Sequence, residues 1–247
     1  MSKSSFGGSF CLNGINTILF RERRGMSVAT QGHLQKFRLL CEELSSMLEQ
    51  EGWSVRPYAQ ETLPYFQQLN PDEQAHSTDL MNQYLEVCRS VHRQGRRIKD
   101  MPFLVKTALD YYGYKISPEG LDQLVNVEGR IVEFYSHKHT QFFRSFNFFE
   151  FCSYTIEDVF CRSWPHLYSR AEEVTLRILE QANYILSGRL NQPVIITEVH
   201  KIQERVSLER LQMYMTRLYL EPLIKDGKVE GLIAIEDCVW NINDFTI

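Results

Sequence analysis

The sequence predicts an α+β fold: an N-terminal helical bundle over residues 30–117, then an antiparallel sheet with flanking helices over 118–247. Three observations carry this. From His33 to Tyr112 apolar residues recur in steps of three and four, the period of one helix face. After Pro193 the pattern changes to three strand-like runs, and Asp226-Gly227, a hairpin turn pair, separates the last two. Between the two regimes, Ser117-Pro118-Glu119-Gly120 is a turn cluster and a plausible boundary.

The elements of the first half follow in order. Leu34, Phe37, Leu40, Cys41, Leu44, Met47 and Leu48 line one face of a helix over 33–51, with Thr30 as its expected cap and Gly52 as its stop. Residues 57–69 predict a shorter helix interrupted by Pro64. Asn70-Pro71-Asp72-Glu73 combines a cap, a first-turn proline and acids that the helix dipole favours. That helix should run to Arg93 with Leu80, Tyr84, Val87, Cys88 and Val91 inward, and Gly95 should end it. Asp100-Met101-Pro102 starts the next helix, which Gly113 closes.

In the second half, residues 124–135 (LVNVEGRIVEFY) read as a hairpin with Glu-Gly at its turn. A Phe-dense stretch runs from Gln141 to Phe151. Thr155 can cap a short helix, and a longer helix is expected from Ala171 to Ser187, stopped at Gly188. The closing strands are Pro193–Ile202, Leu211–Ile224 and Gly231–Trp240.

This order of hairpin, short helices, one longer helix and a three-stranded meander resembles the PAS fold, over about residues 120–244. The segments VNVEGRIVEFY, CSYTIEDVFCRSWPHLYSR and EPLIKDGKVEGLIAIED are similar to its opening hairpin, its middle segment and its closing hairpin. Asn126 stands where an Asp is usual, Ser153 where a Gly is usual, and the 203–210 link is long and charged. The resemblance implies a sheet that encloses a cavity for haem, flavin or a small ligand. A flavin photoreceptor would carry Asn-Cys-Arg-Phe-Leu-Gln, and here only Cys161-Arg162 agree. Haem would need a well-placed His, for which His137, His139 and His166 are the nearby residues. His137 and His139 share strand parity and would point to one face. No cofactor is expected. Phe146, Phe149, Tyr154, Trp164 and His166 are the expected cavity residues, and Phe142 and Phe148 are expected on an interaction surface that docks on the helical half or on a partner.

Arg93, Arg96 and Arg97, with Arg89, His92 and Lys99, form a local basic cluster, read either as an interaction patch or as a solvated helix end. Globally, 27 Lys+Arg against 31 Asp+Glu leave a net charge of −4, which argues against a nucleic-acid-coating role. No run approaches the ~18 apolar residues of a membrane span. The six cysteines lack metal-ligand spacing and read as free thiols of a cytoplasmic protein. Residues 1–25 lack either period and read as a flexible arm or as a start assigned too early, before Met26. Nucleophile-elbow, P-loop and zinc-protease motifs are absent, and the acid pair Glu157-Asp158 reads as a dipole partner or a solvated face. The expected role is a non-enzymatic sensory or regulatory protein of bacterial signalling that binds a small ligand or a protein, including a second copy of itself. The alternative is an adaptor in a larger assembly with a PAS-like unit that has lost its ligand.

Overall fold

The computed structural model describes residues 28–53, 63–125, 129–205, 207 and 209–241. The N-terminal arm and residues 126–128, which include Glu128 of the expected Glu-Gly turn, lie outside the described residues. Four helices come first: α1 (Val28–Gln50), α2 (Pro64–Gln68), α3 (Pro71–Arg93) and α4 (Met101–Tyr112). The start of α3 is a full capping box. Asn70 Oδ1 accepts from Glu73 N at 3.0 Å, and Glu73 Oε2 accepts from Asn70 N at 2.9 Å. Asp100 caps α4, and Gly113 ends it in the left-handed conformation. Thr30 lies inside α1 and does not cap it, and Pro64 opens α2, where its missing N–H costs nothing.

A fifth helix, α5 (Pro118–Val125), takes Leu124 and Val125, the start of the first strand of the expected 124–135 hairpin. Leu124 is buried from a helix face, so periodicity over so short an apolar run could not decide the class. The hairpin that does form joins β1 (Ile131–Ser136) to β2 (Gln141–Arg144). A 3-10 turn (Phe146–Glu150), α6 (Ile156–Cys161), α7 (Trp164–Leu167), the short β3 (Tyr168–Ser169) and α8 (Glu172–Leu186) follow. Thr155 and Asp158 make the capping box of α6. The chain then forms β4 (Val194–Ile196), β5 (His200–Glu204), β6 (Gln212–Lys225) and β7 (Lys228–Val239). The expected run 193–202 is therefore one edge broken at 197–199, both pieces pairing with β6. Asp226 and Gly227 both take positive φ, 51° and 75°, as the tight β6–β7 turn requires.

The sheet is antiparallel throughout, in the order β2-β1-β7-β6-β5-β3, with β4 also on β6. The C-terminal strand thus sits beside the first hairpin, with Val132 opposite Ile235 and Phe134 opposite Ile233. Strand alternation splits the apolar residues between two faces. Val132, Phe134, Tyr219, Leu223, Ile233 and Ile235 join Phe37, Leu44, Cys88 and Leu104 of the helices in one core. Ile131, Leu218, Leu220, Leu232 and Ala234 face Ala182, Ile185 and Leu186 of α8 in a second. The result is three layers: helices, sheet, helix.

The outer edge of β2 is closed by tyrosines. The Tyr84 hydroxyl donates to the Arg144 carbonyl, and the Tyr112 hydroxyl to the Phe142 carbonyl at 3.4 Å. Helices α3 and α4 thereby satisfy acceptors that an edge strand would otherwise expose. The 113–120 junction is also pinned. Lys115 and Ile224 exchange backbone hydrogen bonds, and buried Glu221 accepts from Ser117 N at 2.5 Å and from Ser117 Oγ at 3.1 Å. A Cβ at Gly120 would come within 2.2 Å of that carboxylate, so a larger residue there would have to displace the Glu221 side chain or α5.

Buried glutamate also docks α2. Glu157 Oε1 accepts from Tyr65 N at 2.8 Å and Phe66 N at 2.9 Å, the unpaired amides of the α2 start. The expected solvated acid is thus 2% exposed, and it holds two distant segments together.

Candidate functional site

Two cavities adjoin each other. The larger, about 540 Å³, lies between the start of α3, the β2 edge and α6–α7. Phe142, Phe149, Trp164 and His166 line it, with His76, Tyr84 and Cys161. The smaller, about 140 Å³, lies on the other sheet face beneath α8. Tyr135, Arg170, Ile178, Ala182, Leu218, Leu220, Leu232 and Glu236 are among its walls. Trp164 and His139 border both.

Three of the five expected cavity residues, Phe149, Trp164 and His166, line the larger cavity. Phe146 and Tyr154 line neither cavity. Phe146 is fully buried between Trp53 and Tyr84, with ring centroids 5.1 and 5.3 Å away. Tyr154 is buried beside Tyr168, and its hydroxyl donates to the Leu167 carbonyl. A short 3-10 turn aims consecutive Phe rings at different cores, which a strand or helix pattern cannot anticipate.

The expected interaction surface is also redrawn. Phe148 is 2% exposed, and the Arg144 guanidinium lies 3.8 Å from its ring centroid. Phe142 packs on Tyr112 and Tyr114, so the surface it meets is the helical half of its own chain. Arg93, Arg96 and Arg97 are exposed, yet each has an acid partner: Glu86, Asp100 and Glu51. Arg89 pairs with both Glu43 and Glu86, so the basic cluster is compensated locally.

His137 and His139 lie in the β1–β2 turn, not on a strand, and diverge. His137 Nε2 meets the Val229 carbonyl at 2.6 Å, and His139 Nε2 meets Asn183 Oδ1 at 3.1 Å. No group of three potential metal ligands occurs among the described residues. His166 Nδ1 lies 2.7 Å from Ser163 Oγ at the exposed rim. Burial holds the Cys161 thiol well above its ordinary range, with Glu157 adding to the shift.

The strongest electrostatic feature is one the motifs did not indicate. On the α8 face, β1 carries Glu133 and Tyr135, β2 carries Arg144 opposite Glu133, and β7 carries Glu236 opposite Ile131. Arg170 enters just before α8, its guanidinium 4.1 Å from the Trp164 ring centroid. Arg144 Nε lies 2.9 Å from Glu133 Oε1, an ion pair without hydrogen-bond alignment, and the Tyr135 hydroxyl donates to Glu133. Among the described residues, neither Arg170 nor Glu236 has a hydrogen-bond or ion-pair partner, and Arg170 Nε is buried. The available signal was parity: in the run 231–239 an acid falls in register with Leu232 and Ala234.

Burial, then the Glu133 charge, push the Glu236 carboxyl up to about 8, while Arg170 and Arg144 oppose the shift. The folded chain therefore holds a proton that the unfolded carboxyl, near 4.5, releases. Its contribution to stability is complete below about pH 4 and falls as pH rises through about 8. In urea titrations at pH 5, 7 and 9 the wild type should lose stability stepwise, and Glu236→Gln should flatten the trend. Equal slopes in the two proteins would show that Glu236 does not titrate in this window.

No protein-family model matches this chain, and no curated protein sequence matches it. Among solved structures, an RNA-binding light-oxygen-voltage receptor overlays at 11% identity and a TM-score of 0.31. The overlay covers 84% of this chain and 63% of the receptor chain, so the chain spans less than two thirds of that protein.

Proposed function

We propose that this chain is a non-enzymatic regulatory protein that binds a small ligand between a PAS-like sheet and α8 and passes its state through the sheet to the N-terminal helices. The observation that carries the reading is the cavity beneath α8, where Arg170 and Glu236 face an apolar wall without partners among the described residues. Cavities with apolar linings and a few convergent polar groups are the usual form of small-ligand sites. Two further features support it. The element order after residue 130 is the one the PAS resemblance implies. The strands under the cavity also carry Val132, Ile233 and Ile235 on their reverse side, against the helices, so a shift in the sheet has a direct route to them. The receiver of that state is a protein partner or a second copy of the chain.

The adaptor alternative expects Phe side chains to fill the sheet cavity. None of the cavity-lining residues beneath α8 is a Phe. Native mass spectrometry of the purified full chain, with a thermal-shift panel of small metabolites, tests the proposal. A bound mass or a saturable rise in Tm should be accompanied by altered amide exchange in α3 and α4. Absence of any small-molecule effect across the panel would favour the adaptor.

A further inference from the structure

Which chemistry would the cavity beneath α8 accept? Its charge balance is specific. Glu133 compensates Arg144. Glu236 sits near Glu133, and burial together with that charge raises its carboxyl pKa to about 8. Arg170 has no hydrogen-bond or ion-pair partner among the described residues, and its Nε–H is buried without an acceptor. A buried N–H of a charged group without an acceptor is costly, and an ionised acceptor relieves the cost most effectively. Other groups facing the space do not supply it. The Tyr135 hydroxyl is engaged with Glu133, Thr175 Oγ1 donates to the Ala171 carbonyl, and His139 faces Asn183.

Size and wall narrow the class further. A cavity of about 140 Å³ is close to the roughly 150 Å³ engineered cavity that takes up benzene, a molecule of six heavy atoms. Ile178, Ala182, Leu218, Leu220 and Leu232 make the remainder apolar. An inorganic anion would leave that wall unused, and an amine would be repelled by Arg170. A four-carbon carboxylate has six heavy atoms, one end for Arg170 and an alkyl tail for the wall.

We propose that the cavity beneath α8 binds a short-chain monocarboxylate, its carboxylate held by the Arg170 guanidinium and its alkyl tail against Ile178, Ala182 and Leu220. The planar guanidinium matches a carboxylate with two parallel N–H donors. Trp164 stacks on Arg170 and fixes its plane where the two cavities adjoin. This rests on the ligand-binding reading above and adds the ligand's chemical class.

The test is isothermal titration of the full chain with sodium butanoate, and with butanamide as the uncharged isostere. Butanoate should bind saturably and at least tenfold more tightly than butanamide. Arg170→Gln should remove that preference. Ala182→Leu keeps the charge but fills the tail space, and should weaken butanoate at least tenfold, with far-UV circular dichroism confirming that each variant is folded. Equal binding of butanoate and butanamide, or no saturable butanoate binding, would overturn the carboxylate class. Unchanged butanoate binding by Ala182→Leu would overturn the location. If the metabolite panel instead finds a neutral ligand that Ala182→Leu excludes, the ligand-binding role stands and only the carboxylate inference fails.

Discussion

Phe146→Ala should lower the unfolding free energy by about 3–5 kcal/mol, as truncating a large, fully buried ring does. The ring stands where three parts of the chain meet. Trp53 follows α1, Tyr84 belongs to α3, and Phe146 itself follows β2. Its loss opens a void that a helix on one side and a sheet on the other cannot easily close. The same variant tests whether residues 30–117 and 118–247 are separate folding units. One shared core and the pinned 113–120 junction favour a single transition. Far-UV circular dichroism and tryptophan fluorescence should therefore report coincident urea midpoints, in wild type and variant alike. Two separated transitions would show that the halves fold independently.

Arg144→Met should cost a similar amount, for an electrostatic reason. Its partner Glu133 is 1% exposed, and removing one member of a buried pair strands the other charge, typically at 3–5 kcal/mol. The methionine retains much of the contact with Phe148, so the loss reports the charge more than the packing. The double variant Glu133→Gln/Arg144→Met should recover part of it, with a coupling energy of roughly 0.5–3 kcal/mol. Additive single and double effects in urea titrations would show that the two groups are not coupled. Glu236 gives an independent readout. With Glu133 made neutral, one cause of its raised pKa disappears, and the fall in stability with pH should move toward lower pH.

The signals that were legible are those whose physics is local. Asn70, Asp100 and Thr155 cap the helices they were expected to cap, because a side-chain oxygen reaches an amide only two or three residues ahead. Asp226-Gly227 turns the final hairpin because positive φ is tolerable there. Of the expected inward residues of α3, Tyr84, Val87, Cys88 and Val91 are buried and Leu80 is half-buried. Trp164 was expected at a cavity and stands between two, although nothing in its neighbourhood in sequence indicated that Arg170 would lie over it.

What failed depended on contacts between segments far apart in the chain. Glu157 is indistinguishable in sequence from its solvated neighbours. Only the arrival of α2, 91 residues earlier in the chain, turns it into a buried acceptor. Phe142 and Phe148 were expected on a surface docking on the helical half or on a partner; Phe142 does meet the helical half, but the sequence does not show that Phe148 is buried under Arg144.

The sequence by itself determined the α+β class, the helical first half, the caps of α3, α4 and α6, the β6–β7 turn, and the order of hairpin, helices and meander. Each depends on periodicity or on side chains a few residues apart. Only the tertiary structure decided that one sheet would be covered on both faces, that the β2 edge would be closed by Tyr84 and Tyr112, and that Glu133, Arg144, Arg170 and Glu236 would share one buried face. The physical reason is that an acid or arginine on a strand has the same local conformation whether its face meets water or a helix. Its charge state, its partner and its use are set by what packs above it.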